Sequence, residues 1–158
     1  MSSLVREAQL RLPDAGQWQY VGEGNKNIVF AYQRSDEHFT GGLLRLRKTE
    51  LKSLGGRAEH DTLDDILFAQ NIIRPLVNIE GNSNYIPLMT PVNLDRQFLE
   101  EMSVAAQPHR PESRLHQVLD IEQKIGILTA NMAPVEGDLH EFAVEIKASK
   151  GSMVPRLH

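Results

Sequence analysis

The chain has 158 residues, enough for one domain with a buried core, and its 41% hydrophobic and 24% charged fractions are those of a globular protein. A net charge of −4 gives no overall attraction to nucleic acid or to an anionic membrane, and the absence of cysteine excludes a disulfide framework and a thiolate metal site. No window reaches the roughly 18 consecutive apolar residues of a membrane span, and the first residues are too polar for a signal peptide. The expectation is a soluble, monomeric, intracellular chain of the nucleus or cytoplasm.

Residues 1–16 form a polar lead-in that ends in the turn-forming run Leu12-Pro13-Asp14-Ala15-Gly16. Aromatic and β-branched residues at Trp18, Tyr20 and 28–32 predict strands, with a break at Gly22-Glu23-Gly24. A polar turn at 35–38 and the pair Gly41-Gly42 precede 43–48. Alternation there puts Leu44 and Leu46 on one face and Leu43, Arg45 and Arg47 on the other. Short connections make these three strands an antiparallel meander. The period then changes: Leu63, Ile66, Leu67, Ala69 and Ile73 predict a helix over 61–73 with an apolar core face. Asp61 or Thr62 would cap it, and Arg74-Pro75 would end or bend it. A short apolar segment at 85–89 is followed by a second predicted helix, 93–102, capped by Asn93 and carrying Leu94, Phe98, Leu99 and Met102. Residues 107–114 read as a basic, proline-containing loop, 125–128 as a buried strand, 132–138 as a loop and 142–147 as a strand, while 148–158 show no period. The sum is an α+β fold, an antiparallel sheet with flanking helices.

Glycine lacks a Cβ, so Gly22 and Gly24 allow either a tight hairpin or a close approach of the backbone to a ligand. A strand, a Gly-x-Gly turn and a second strand is the form in which kinases cover nucleotide phosphates. The run lacks a third glycine and leads into a strand, which disfavours a Walker loop and a Rossmann turn. Arg45, on the third strand, is placed where such a kinase needs a cation, and its guanidinium fork suits phosphate oxygens. The same residues also fit a plain hairpin and a solvated strand edge shared by Arg45, Arg47 and Lys48. The phosphate reading requires the turn and the Arg45 guanidinium to share one face. Trp18 and Tyr20 could stack on a base or pack inward. The six histidines lack metal-ligand spacing, and Asp61, Asp64 and Asp65 suit a helix N-terminus, so no metal site is expected.

Several segments together resemble the inositol-pentakisphosphate 2-kinase family, whose N-terminal lobe looks like a kinase N-lobe. They are the glycine loop Gly22-Glu23-Gly24-Asn25-Lys26-Asn27, the strand Leu43-Leu44-Arg45-Leu46-Arg47-Lys48, and Arg110-Pro111-Glu112-Ser113-Arg114 for the family's R-P-x-x-R element. Ile127-Leu128-Thr129-Ala130-Asn131 matches the strand leading to a hinge asparagine, and Val144-Glu145-Ile146-Lys147 the V-E-I-K strand. The resemblance implies phosphorylation of inositol 1,3,4,5,6-pentakisphosphate at its 2-hydroxyl to give the hexakisphosphate, with ATP and Mg²⁺ and without nucleic-acid or membrane partners. It implies that Gly22, Glu23, Gly24, Asn25 and Asn27 cover the nucleotide phosphates, that Arg45 holds them, and that Asn131 and Glu145 contact adenine and ribose. Arg114 and Lys147 would bind the substrate's phosphates. Lys150 is a weaker match: the family's proline and second lysine fall at Ala148 and Ser149, and a one-residue slip turns a strand side chain to the opposite face. The expected organisation is a lead-in (1–16), an N-lobe (17–147) and a divergent tail (148–158). Family catalytic residues belong to a C-terminal lobe outside these residues, so this chain alone is expected to bind rather than turn over. A non-catalytic nucleotide or inositol-phosphate binding module is the alternative.

Overall fold

A computed structural model describes residues 10–50, 58–77 and 87–131. Among these residues six strands are present: β1 (Trp18–Glu23), β2 (Asn27–Tyr32), β3 (Gly42–Glu50), β4 (Met89–Asn93), β5 (Gln117–Leu119) and β6 (Ile125–Ala130). They form one sheet in the order β1-β2-β3-β6-β4, with β5 paired to β3, and every pairing is antiparallel. The helices are α1 (Ala58–Phe68), α2 (Arg74–Val77) and α3 (Arg96–Ala106). The fold is therefore α+β, as expected from the sequence. The predicted strand at 142–147 lies outside the described residues.

β3 is the centre of the sheet. Along it, Gly42, Leu44, Leu46 and Lys48 are buried while Leu43, Arg45, Arg47 and Thr49 are half-exposed, the two-residue period of a strand with unlike faces. Its inner face carries Leu44 and Leu46 into a core with Trp18, Ile28, Phe30, Val92 and Leu128, closed by Phe98, Leu99, Met102 and Ala106 of α3. Trp18 and Tyr20 pack inward. Trp18 lies 5.2 Å from Tyr32 and 6.1 Å from Phe39 between ring centroids, and Tyr20 meets Phe30 edge-on at 6.3 Å. Burying a side chain of this size contributes roughly 1.5–3 kcal/mol.

The break expected at Gly22 does not occur. β1 runs on through Gly22 and Glu23, and a bulge between Tyr20 and Gly22 takes up one extra residue. The second predicted helix begins at Arg96, not at Asn93. The Leu94 N–H donates to the Lys124 carbonyl at 2.8 Å, which keeps the chain extended past Asn93. The cap is then Asp95, whose carboxylate accepts from the Phe98 N–H at 2.8 Å.

The first predicted helix differs in three ways. It starts at Ala58, so neither Asp61 nor Thr62 is its cap. Of its expected core residues Ile66 is buried, but Leu63 and Leu67 are about 40% exposed. Nor does it end at Arg74-Pro75: a π turn over Ala69–Ile73 joins α1 to α2, which contains the proline. The Arg74 N–H bonds Ala69 O, five residues back, and this widened turn relieves the crowding that a proline ring causes in an α-helix.

A buried amide repairs the sheet where β5 and β6 leave β3 unpaired. Gln123, 2% exposed, accepts from the Arg47 N–H at 3.0 Å and donates to the carbonyls of Arg47 at 3.2 Å and Asp120 at 2.7 Å. Its side chain takes the role of a strand partner. Gln123→Ala leaves the Arg47 N–H buried and unbonded, so urea denaturation should show a loss of about 1–3 kcal/mol. Leu99→Ala, in the fully buried seam between α3 and the sheet, should cost about 2–5 kcal/mol in the same assay.

Candidate functional site

Directly opposed residues of antiparallel strands point to the same face. Gly22 opposes Val29, Val29 opposes Arg45, and Arg45 opposes Ile127, so one row crosses four strands on the outer face of the sheet. At about 4.8 Å per strand, Gly22 and Arg45 stand roughly 10 Å apart. The glycine turn and Arg45 thus share a face. α1 packs on that face over β6 and β4, and Asp65 on α1 meets Arg47 at 3.5 Å.

Nothing lies within 4 Å of where a Cβ would stand on Gly22 or Gly24. Neither has a positive φ; among the described glycines that conformation belongs to Gly41, at φ 70°. Neither packing nor backbone strain therefore requires glycine at 22 and 24. What glycine provides there is bare main chain beside open space. Arg45 is half-buried, and its Nε is buried with no hydrogen-bond partner. No ion pair of Arg45 is found among the described residues. Thr129 Oγ1, on a residue 3% exposed, is likewise without a partner. Thr129 opposes Leu43, two residues from Arg45, so both orphaned atoms belong to the outer face. Buried polar atoms of this kind usually find a partner, and Arg45 Nε, on the strip beside Gly22, is placed where a ligand can supply one.

The turn itself is short. The Gly24 N–H donates to Asn27 O at 2.9 Å, and the Lys48 N–H donates to Lys26 O at 2.8 Å, pinning the tip to β3. Glu23, predicted to help cover nucleotide phosphates, turns the other way. Its carboxylate is 1% exposed and accepts from Lys48 Nζ at 2.8 Å and from Arg110 Nε and Nη2 at 2.8 and 3.0 Å. Lys48 is correspondingly not on the edge shared by Arg45 and Arg47; it faces inward and is buried. Arg110, in the segment read as a basic, proline-containing loop, is also buried, and its Nη2 donates to Arg114 O at 2.9 Å. The Arg114 guanidinium then donates to Asn25 Oδ1 at 2.7 Å, at the tip of the turn. Two residues expected to serve different ligands, Asn25 and Arg114, are thereby neighbours.

Asn131 follows β6, and its N–H donates to Gly41 O at 2.6 Å. It lies at the end of β3 opposite the glycine turn, since Gly42 opposes Ala130 whereas Arg47 opposes Asn27. At about 3.3 Å per residue the two ends are on the order of 20 Å apart, with Arg45 between them. Glu145, Lys147 and Lys150 lie outside the described residues. Among the described residues no three His, Asp or Glu side chains could hold a metal ion, so no Mg²⁺ ligand is assigned. Sequence reasoning missed Lys48 and Arg110 as partners of Glu23, and Thr129 as an orphaned hydroxyl. The burial alternation of β3 could have separated Lys48 from Arg45. Nothing in the spacing could have joined residues 23 and 110.

Burial pushes the Glu23 carboxyl up, but hydrogen bonds from Arg110 and Lys48, together with their charges, outweigh it and hold the group below its ordinary value of 4.5. Its lowered folded-state pKa means that the stabilisation is complete above about pH 4.5 and declines as pH falls towards the folded value. Glu23→Gln should destabilise the chain by about 3–5 kcal/mol near neutral pH, because two cations are left buried. In urea titrations the gap between wild type and variant should narrow as pH falls below 4.5.

The chain matches the family described as inositol-pentakisphosphate 2-kinase over residues 20–155. It is 31% identical over 151 residues to the inositol-pentakisphosphate 2-kinase of Danio rerio, covering 87% of this chain and 29% of the relative. The chain thus spans about a third of that relative's length. A match that begins within β1 and takes in the glycine turn, the β3 arginine and the Arg110–Arg114 segment shows that this chain belongs to the inositol-pentakisphosphate 2-kinase family.

Proposed function

We propose that this chain is the nucleotide-holding, N-lobe portion of a kinase that phosphorylates inositol 1,3,4,5,6-pentakisphosphate at its 2-hydroxyl, giving the hexakisphosphate. Family membership supports the kinase assignment. The observation that carries it in this chain is the unpartnered Arg45 on the face shared with the bare main chain of Gly22. A buried guanidinium N–H without an acceptor, here Nε, is costly unless a ligand completes it, and a phosphate does so with a charge-assisted bond.

ATP would supply the phosphoryl group to be transferred. Arg45 would bind its phosphate oxygens through its planar guanidinium fork. The turn at Gly24–Asn27 would lie over the same phosphates and exclude water, since no side chain of Gly22 or Gly24 intervenes. Asn131, at the far end of β3, would meet the base. Arg114, held beside the turn tip by Asn25, is a cation available to phosphates of the inositol ring. These residues bind and orient; the described residues offer no metal-ligand cluster.

Calorimetric titration with Mg²⁺–ATP tests this reading. Wild type should bind, and Arg45→Ala should bind about 10–100-fold more weakly, the loss of one or two charge-assisted hydrogen bonds, with its unfolding midpoint nearly unchanged. Equal affinity in the two proteins refutes the role of Arg45. Binding of both Mg²⁺–ATP and inositol pentakisphosphate without turnover supports the N-lobe reading and a non-catalytic binding module alike; no binding of either ligand by the folded chain refutes both.

A further inference from the structure

Glu23, Lys48 and Arg110 form a closed cluster in which every member is buried: the side chains are 1%, 0% and 3% exposed. They come from three places, the end of β1, the inner face of β3 and the segment after α3. The carboxylate accepts three hydrogen bonds of 2.8–3.0 Å. From this cluster short links run to both sides of the glycine turn. Lys48 holds the tip through its own N–H on Lys26 O at 2.8 Å. Arg110 holds the Arg114 carbonyl at 2.9 Å, and Arg114 holds Asn25 at 2.7 Å. The residue after Glu23 is Gly24, whose own N–H closes the turn on Asn27 O.

We propose that Glu23 is a positioning residue: its carboxylate does not touch the nucleotide but, gripped by Lys48 and Arg110, fixes where the Gly24–Asn27 turn sits relative to Arg45. The inference rests on the reading that this turn covers nucleotide phosphates. Its basis is geometric. Glu23 is directed to the inner face, and Gly22 and Arg45 lie in one row on the outer face. An anion on a phosphate-binding turn would repel the ligand, whereas one beneath the turn and neutralised by two cations does not. The cluster carries one negative and two positive charges, so it leaves a net positive charge below the turn.

Two variants of the full chain test the idea, with Mg²⁺–ATP affinity and amide hydrogen exchange as readouts. Arg110→Lys keeps the charge but cannot donate to both Glu23 oxygens and the Arg114 carbonyl together. It should weaken Mg²⁺–ATP binding by about tenfold and speed exchange of the Gly24 amide, while amides paired between β3 and β6 keep their protection. Glu23→Gln removes a negative charge near the site, so electrostatics alone predicts tighter binding; positioning predicts weaker binding, again by about tenfold. Unchanged affinity in folded Arg110→Lys overturns the proposal, as does tighter binding in Glu23→Gln. If both variants fail to fold, the cluster serves stability alone and the proposal falls. If wild type does not bind Mg²⁺–ATP, the functional reading fails. The exchange arm then still decides whether the cluster orders the turn.

Discussion

Removing a carboxylate and two cations from water costs several kcal/mol per ion, and the cost is met only when the geometry leaves no bond unmade. Glu23 meets that condition: each oxygen accepts a short charge-assisted bond, and Arg110 spends a further N–H on the Arg114 carbonyl. The remainder of the candidate site hangs from this point. With the carboxylate fixed, the end of β1, the inner face of β3 and the 110–114 segment cannot shift independently. The glycine turn, caught between them, has main-chain and side-chain anchors on both flanks.

β3 divides the labour between its faces. Lys48 and Arg45 are three residues apart, and the pleat sends them to opposite sides. One cation is consumed by the protein's own carboxylate; the other is left with a buried, unpartnered Nε. α3 seals the inner face with Leu99 and Met102, while α1 covers the outer face over β6 and β4. The strip over β1, β2 and β3 carries Gly22, Val29 and Arg45, with Arg47 on the same face beside Asp65, and a polyanion placed there would meet Arg45 and exposed main chain.

The strands were legible because β-branched, aromatic and alternating residues impose a two-residue period, and Leu44, Leu46 and Arg45 fall on the faces that period assigns. β4 and β5 were not legible: Met89–Asn93 carries Pro91 and lies where the sequence suggests only an apolar segment followed by a helix, and the three residues Gln117–Leu119 are too few to show any period. The start of α3 was displaced by a tertiary bond, Leu94 to Lys124, that local capping rules do not contain. Pro75 signalled a helix end, but the π turn accommodated it. At the site, the glycine turn and Arg45 were readable as local chemistry. The grip of Arg110 on Glu23 joins residues 87 positions apart, and the Gln123 clamp joins residues 76 apart. No periodicity reports such pairings, because folding alone brings them together.

The depth of the Glu23 cluster has a consequence for ionic strength. Mobile ions screen charges that they can surround, with a Debye length of about 8 Å at 0.15 M, and scarcely reach a pair sealed from solvent. Potassium chloride should therefore erode the exposed Arg96–Glu122 pair and any polyanion's hold on Arg114, yet leave the frame under the glycine turn intact. A change in ligand affinity across a KCl series would then report the encounter itself, against a scaffold whose electrostatics stay constant.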